Sequence, residues 1–361
     1  MILTTKQPIS FRSRLWFHRH RVMALVLVNL VILTGAMVLI ETAYQGQWID
    51  FHHADLAASN PPGTLDVSSR PTILALGDSF TAGRNNWPGD LQTLLGPETR
   101  VVNSGVGGST IRQMRAMADG RIRRFQPELV ICQIYTGNDL LDLRHPVSTS
   151  EIGVLRRLYW LANDRGAMSP WFFNTRLRLA ADRLSPVYRL PPVERERLIR
   201  EMEARPFSVD DYSPRVRMLL AASPTLISDQ IAVAGEMTTA WSDYRENLEG
   251  LIRSCASSGA GLMLMVVPHC SQVSPVYAQR FKLLGARDPD PTLLQTDEYP
   301  FVQRLRETAA GNAGVGVLNV LPTLRSTESA GERLFFPNDP HLNPAGRRVV
   351  AEIIMNELDS R

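Results

Sequence analysis

Five short apolar runs, each separated from the next by a turn and a stretch of helical periodicity, constrain this chain more than any other feature. They are Thr72 to Leu76, Val101-Val102, Leu129 to Ile134, Leu262 to Val267 and Val315 to Val320. Successive side chains in a strand point to opposite faces, so a continuous apolar run marks a strand covered on both sides. Helical patterns lie between the runs, around Leu91 and over Ile111 to Phe125, Tyr244 to Cys255 and Phe301 to Ala310. This alternation predicts an α/β sandwich around a central, mostly parallel sheet. The segment at about 145–235 breaks the rhythm. It is rich in Arg, Leu and aromatic residues, with helix-like stretches at Ile152 to Leu161 and Pro192 to Ala204. It reads as a helical insertion between the third and fourth strands: a lid, a substrate collar or a packing embellishment.

A second constraint lies at the N-terminus. From Val22 to Ile40 there are 19 residues without a charge. As a helix, at about 1.5 Å per residue, they span about 28 Å, close to the ~30 Å hydrocarbon core of a bilayer. Lys6, Arg12, Arg14, Arg19 and Arg21 precede the run, and Glu41, Asp50 and Asp55 follow it. The excess of positive charge on one side predicts a single-pass membrane protein. Its basic segment, 1–21, is cytoplasmic, its transmembrane helix is 22–42, and the rest is periplasmic or extracellular. The run is longer than a usual signal core, and no small-x-small cleavage site follows, so a retained signal anchor is expected rather than a cleaved signal peptide. Residues 43–70, with Asn60-Pro61-Pro62-Gly63 and Ser68-Ser69, read as a linker in which His52 and His53 are solvated.

The formal charge of +3 comes from this N-terminal cluster. The remaining 34 basic residues face 36 acidic ones, so nothing points to nucleic acid. Cys132, Cys255 and Cys270 form no disulfide framework and no metal-ligand spacing. Cys132, inside an apolar run, is expected to be a buried small hydrophobe, and the other two are expected to be free thiols.

Four turns carry the chemistry. Ile73-Leu74-Ala75-Leu76-Gly77-Asp78-Ser79 runs a strand directly into a turn that exposes a hydroxyl at its carboxyl end, where α/β sheets place their ligands. Asp78 and Thr81 are expected to fix this turn by local hydrogen bonds rather than to react. Val101 to Thr110 ends a strand in Gly105-Val106-Gly107-Gly108, whose backbone N–H groups can face an anion. No Gly-Lys-Ser/Thr follows, which disfavours a nucleotide loop. Gln133 to Asp139 places Asn138 at a strand end, where its amide can offer N–H to an oxyanion. Phe336 to Gly346 holds Asp339-Pro340-His341 before a helix with Asn343 as N-cap and Pro344 at its first position. An aspartate two residues before the histidine can orient one imidazole nitrogen and leave the other for the serine. His269, after the fourth run, is expected to be structural.

These four blocks, in this order over about 71–361, resemble the SGNH/GDSL hydrolase family, whose four name-giving residues fall on Ser79, Gly108, Asn138 and His341. The resemblance implies a three-layer, flavodoxin-like α/β fold. Its implied oxyanion hole is made by the N–H of Ser79, the N–H of Gly108 and the Asn138 amide. Many members place the triad acid three residues before the histidine; here that position is Asn338, and Asp339 is taken as the acid. The expected activity is a serine esterase working without metal or organic cofactor. Its ester substrate would be an envelope glycan O-acetyl group or a lipid ester. An O-acyltransferase on the same site and a non-catalytic glycan-binding scaffold are the alternatives. Oligomeric state is not encoded in any pattern of the sequence.

Overall fold

The computed structural model describes residues 11–66, 70–166, 168–184, 186, 190–287 and 290–360. The chain divides into two compact units, one ending at Ile49 and the other spanning Asp50–Arg361. The first is built on helix α1 (Phe11–Gln45). Within it, His20–Gln45 is long and apolar enough to cross a membrane.

The second unit begins with α2 (His53–Ser59) and then alternates β1 (Thr72–Leu76), α3 (Trp87–Leu95), β2 (Arg100–Asn103), α4 (Ile111–Phe125) and β3 (Leu129–Tyr135). The 145–235 segment follows as α5 (Val154–Asp164), α6 (Met168–Leu184), α7 (Pro192–Glu203), α8 (Pro214–Ala222) and α9 (Leu226–Ala232). The alternation resumes with α10 (Met237–Ser258) and β4 (Gly261–Val267), then the short helices α11 (Cys270–Val273), α12 (Pro275–Leu283) and α13 (Pro291–Gln295). It closes with α14 (Pro300–Ala309), β5 (Val315–Asn319), α15 (Leu321–Ser329) and α16 (Pro344–Asp359).

The strands pair in the order β2-β1-β3-β4-β5, and every pairing is parallel, so the sheet is wholly rather than mostly parallel. This is the flavodoxin-like order. The chain steps from β1 outward to β2, then back across β1 to β3. With right-handed crossovers this reversal puts α3 and α4 on opposite faces. Accordingly α3 packs with α16 and α4 with α10, covering both sides. Leu74, Leu76, Val130, Ile131, Leu264 and Val266 are fully buried. Burying each such side chain contributes about 1.5–3 kcal/mol. A smaller core of Leu141, Ile152, Trp160, Leu219 and Leu226 holds the insertion to the end of the sheet.

The linker reading of 43–70 needs correction, because the folded unit starts at Asp50. Asp50 forms an ion pair with Arg121 of α4, with Arg121 Nη2 3.0 Å from Oδ1. Leu56 of α2 is buried. Asn60 accepts from the Asn103 N–H at 2.9 Å and donates to its carbonyl at 2.7 Å. Its side-chain amide thus caps the outer edge of β2 as another strand's backbone would. His52 is buried, not solvated, and its Nδ1 lies 2.8 Å from Asp55. His53 is exposed. Lys6 and the Ser68-Ser69 pair lie outside the described residues.

Candidate active site

Because the strand order reverses at β1, with β2 laid on one side and β3 on the other, a crevice opens at the carboxyl ends of β1 and β3. The turn after β1 enters it tightly. A Cβ on Gly77 would come within 2.5 Å of Gln133 Oε1, so only glycine fits there. Gln133, on neighbouring β3, accepts from Asp78 N–H at 3.1 Å and from Thr81 Oγ1 at 3.0 Å. Asp78 Oδ1 accepts the Phe80 N–H at 2.9 Å, closing the turn locally as expected. Burial pushes the Asp78 carboxyl up to about 6, against the pull of the Phe80 N–H and of His341.

Ser79 stands half-buried at the tip, its Oγ 2.7 Å from His341 Nε2. Asp339 accepts from His341 Nδ1 and, at 2.8 Å, from the His341 backbone N–H. A carboxylate only accepts, so the proton sits on Nδ1 and Nε2 is left as an acceptor toward Ser79. The Phe80 ring lies against the imidazole, centroids 4.6 Å apart, and fixes its plane. Burial disfavours the imidazolium, but the hydrogen bond and charge of Asp339, aided by Asp78, outweigh it. The His341 pKa is therefore raised. Asn343 caps α16 by accepting the Gly346 N–H at 2.9 Å, which anchors the histidine loop. Asn338, at the family's usual acid position, instead accepts the Ser208 N–H at 2.8 Å and donates to the Pro206 carbonyl at 2.9 Å. It fastens this loop to the insertion.

Gly108 and Asn138 line the same cavity as Ser79 and His341. Gly108 has φ of +75°, a backbone conformation natural to glycine. Its carbonyl accepts from Trp171 Nε1 of α6 at 2.7 Å. Asn138 Nδ2 donates to Asp142 at 3.0 Å, and contact with an acceptor-only group fixes which end of the amide is NH₂. Asp142 is held by Arg215 of α8 and lies 3.4 Å from His145 Nε2. His145 Nδ1 is 2.7 Å from Asp164, and the ring stacks on Trp160 at 4.5 Å. Burial alone would raise the Asp142 carboxyl, but Arg215 and His145 hold it low and ionised. Burial works against a charged His145 as well; Asp142 and Asp164 reverse that and raise its pKa.

The cavity has a volume of about 370 Å³. Its far wall is aliphatic: Leu141 together with Val216, Leu219 and Leu220 of α8 and Leu226 and Ile227 of α9. A more polar cleft flanks it on the α5–α6 side and includes Arg178 and Asn174. His269 lines the cavity but has a structural role. Its ring accepts the Ser271 N–H to cap α11, and burial pulls its pKa down to about 3.

A family model for the GDSL-like lipase/acylhydrolase family matches residues 75–349, which takes in all four turns. The chain belongs to this family. As a GDSL-like acylhydrolase it is an ester-acting hydrolase. No curated protein matches it significantly. Among solved structures it is similar to TesA, with 15% identity and TM-score 0.38 over 80% of this chain and 98% of the other. It is also similar to a catalytic mutant of an acetylxylan esterase from Geobacillus stearothermophilus, with 13% identity and TM-score 0.36 over 81% and 96%. A lipolytic G-D-S-L family member from Veillonella parvula has 11% identity and TM-score 0.37 over 79% and 96%.

Sequence reasoning missed Gln133, Phe80, Trp171 and the Asp142–His145–Asp164–Arg215 network. Gln133 and Phe80 sit inside the recognised blocks, and a polar residue within an otherwise apolar strand was the available signal for the first. The remaining residues come together only through the insertion. Among the described residues no cluster of His, Cys, Asp and Glu could hold a metal ion. Cys132, Cys255 and Cys270 are buried free thiols.

Proposed function

We propose that this acylhydrolase cleaves esters through an acyl-enzyme on Ser79. His341 Nε2 takes the Ser79 proton as Oγ attacks the ester carbonyl carbon. The carbonyl oxygen becomes an oxyanion that accepts from the N–H of Ser79, the N–H of Gly108 and the second Nδ2–H of Asn138. One oxyanion donor is worth about 3–4 kcal/mol of transition-state stabilisation. As the tetrahedral centre collapses, the bond to the alcohol breaks and His341 returns its proton to the leaving oxygen. Water, deprotonated by His341, then attacks the acyl-serine, and the acid departs as Ser79 regains its proton. Asp339 keeps the imidazole in the required tautomer and stabilises its charged form. The observation that carries this reading is the 2.7 Å contact between Ser79 Oγ and His341 Nε2 at the mouth of a cavity.

The aliphatic wall favours an acyl group larger than acetyl. At about 30 Å³ per water-sized group, the cavity of about 370 Å³ holds roughly twelve non-hydrogen atoms, enough for a medium-length chain with its ester. An acetyl group would leave most of the wall in contact with water. A lipid ester is therefore the favoured substrate over a glycan O-acetyl group. We place the catalytic unit outside the cytoplasmic membrane, with α1 as a retained anchor, on the distribution of basic residues before it.

Labelling the full chain with a fluorophosphonate, and following hydrolysis of p-nitrophenyl acetate, butyrate and octanoate, tests both parts. Labelling at Ser79 with a preference for octanoate is expected. A folded protein that neither labels nor turns over any ester would overturn the reading.

A further inference from the structure

Helices α5 and α6 present an uncovered apolar face. Val154, Leu158 and Leu161 recur along α5 at the spacing of one helical stripe, and all are exposed, with Leu155 beside them at 84%. Phe173, Leu177 and Leu184 form a matching exposed row on α6, Leu177 at 70%. The two helices pack together, and Leu155 of α5 and Asn174 of α6 line one shallow groove. A soluble surface rarely gathers this many large apolar side chains, and such a patch marks an interaction site.

Three observations say what the partner is. First, residues 154–184 carry six arginines and two acids. One of the acids, Asp164, is buried against His145, and one of the arginines, Arg176, pairs with Asp55, which leaves five arginines and one acid. Leucines flanked by arginines form the pattern of a helix lying in the interface of an anionic bilayer. Second, the same chain contains in α1 a helix of membrane-crossing length and hydropathy. Only residues 46–49 separate α1 from the second unit, and each residue spans at most about 3.6 Å. A chain anchored by α1 therefore keeps its catalytic unit within reach of the lipid surface. Third, the face adjoins the mouth of the site. Leu177 and Arg178 line the cleft that reaches Gly107 and Gly108, and Arg178 also lines the Ser79 cavity.

We propose that the α5–α6 face rests on an anionic bilayer and admits a lipid ester to the Ser79 cavity from the membrane surface. The docking itself stands on the exposed face and its charge; the identity of what enters rests on the function proposed above.

The test uses the full chain in vesicles of phosphatidylcholine and phosphatidylglycerol. A nitroxide is attached at Leu155→Cys, Leu158→Cys or Leu177→Cys, and for reference at Thr323→Cys, exposed on α15. The native cysteines are buried, so the label goes to the introduced one. Relaxation by oxygen is compared with relaxation by a water-soluble nickel chelate. Oxygen is expected to dominate at the three α5–α6 positions and nickel at 323. Nickel access at 155, 158 and 177 equal to that at 323 overturns the docking. Leu155→Asp with Leu158→Asp separates the two claims. A several-fold loss on a long-chain ester held in vesicles, with soluble butyrate turnover retained, is expected. Labels at depth without any ester turnover would leave the docking standing and remove the esterase reading.

Discussion

The two halves of the site are built on opposite principles. The half borne by the sheet, formed by the turns after β1, β2 and β3 and joined by the loop before α16, is polar and closed by hydrogen bonds. Gln133, Asp78 and Asn103 each use side-chain oxygens to hold backbone N–H groups of these turns. The half borne by the insertion is aliphatic where α8 and α9 face Ser79 and cationic where α6 reaches the rim. A reacting group needs its neighbours placed to a fraction of an ångström, which directional bonds to a rigid sheet supply. A bound chain needs only apolar volume, which the wall side chains of α8 and α9 supply, while Arg215 of α8 and Trp171 of α6 also steady Asp142 and Gly108 behind the reacting groups. In the proposed function, reaction belongs to the sheet side and substrate choice to the insertion.

Each half can be broken separately, and the sheet side should break hardest. Ser79→Ala and His341→Ala should lower kcat by about 10⁴-fold or more on every chain length, because the members of a triad act as one unit. A chain-length-dependent loss in either variant would undo the division of labour. Asp339→Asn should cost about 10³–10⁴-fold through the wrong imidazole tautomer, which steady-state kcat reads directly. Asn138→Ala should lower kcat by about 10²–10³-fold with KM little changed, as loss of an oxyanion donor does. Asp142→Asn should give a smaller loss of the same kind.

The insertion side predicts selectivity rather than inactivity. Leu220→Trp fills the aliphatic end of the cavity and should lower octanoate turnover by about ten-fold or more while sparing acetate. An equal loss on both esters would show that the aliphatic wall of α8, and not only its Arg215, supports the chemistry. The smallest effect is on pH. His341 must be neutral to act as base, and its pKa lies above the ordinary value because Asp339 outweighs burial. The acid limb of kcat/KM should therefore bend above about 6.5, with activity rising as pH increases through that bend. Asp339→Asn should move the bend downward as well as reduce the rate.

Legibility in the sequence followed distance along the chain. The turn at 77–83, the glycines at 105–108 and the Asp339-x-His341 loop each fit within a dozen residues, and each was readable. The helix over Ile111–Phe125 and the strand Thr72–Leu76 match to the residue, because local periodicity reports local burial. Asn60 misled. Its Asn-Pro-Pro-Gly context reads as linker, yet its amide completes the edge of β2 at Asn103, 43 residues away. The contact between Trp171 and Gly108 spans 63 residues and that between Arg215 and Asp142 spans 73, and no local pattern encodes either.

By itself, the sequence determined the parallel α/β frame, the four turns that meet at the cavity and an apolar segment of membrane-crossing length. Those depend on patterns a few residues long, set by backbone geometry and by which side chains water excludes. Only the tertiary structure decided that Asp50 to Asn60 belongs to the folded unit, and that Asp142 stands behind Asn138. It also decided that α8 and α9 make the cavity wall aliphatic while α5 and α6 keep leucines exposed. Those depend on which distant segments meet, and the free energy that selects such a meeting is spread over the whole packed core.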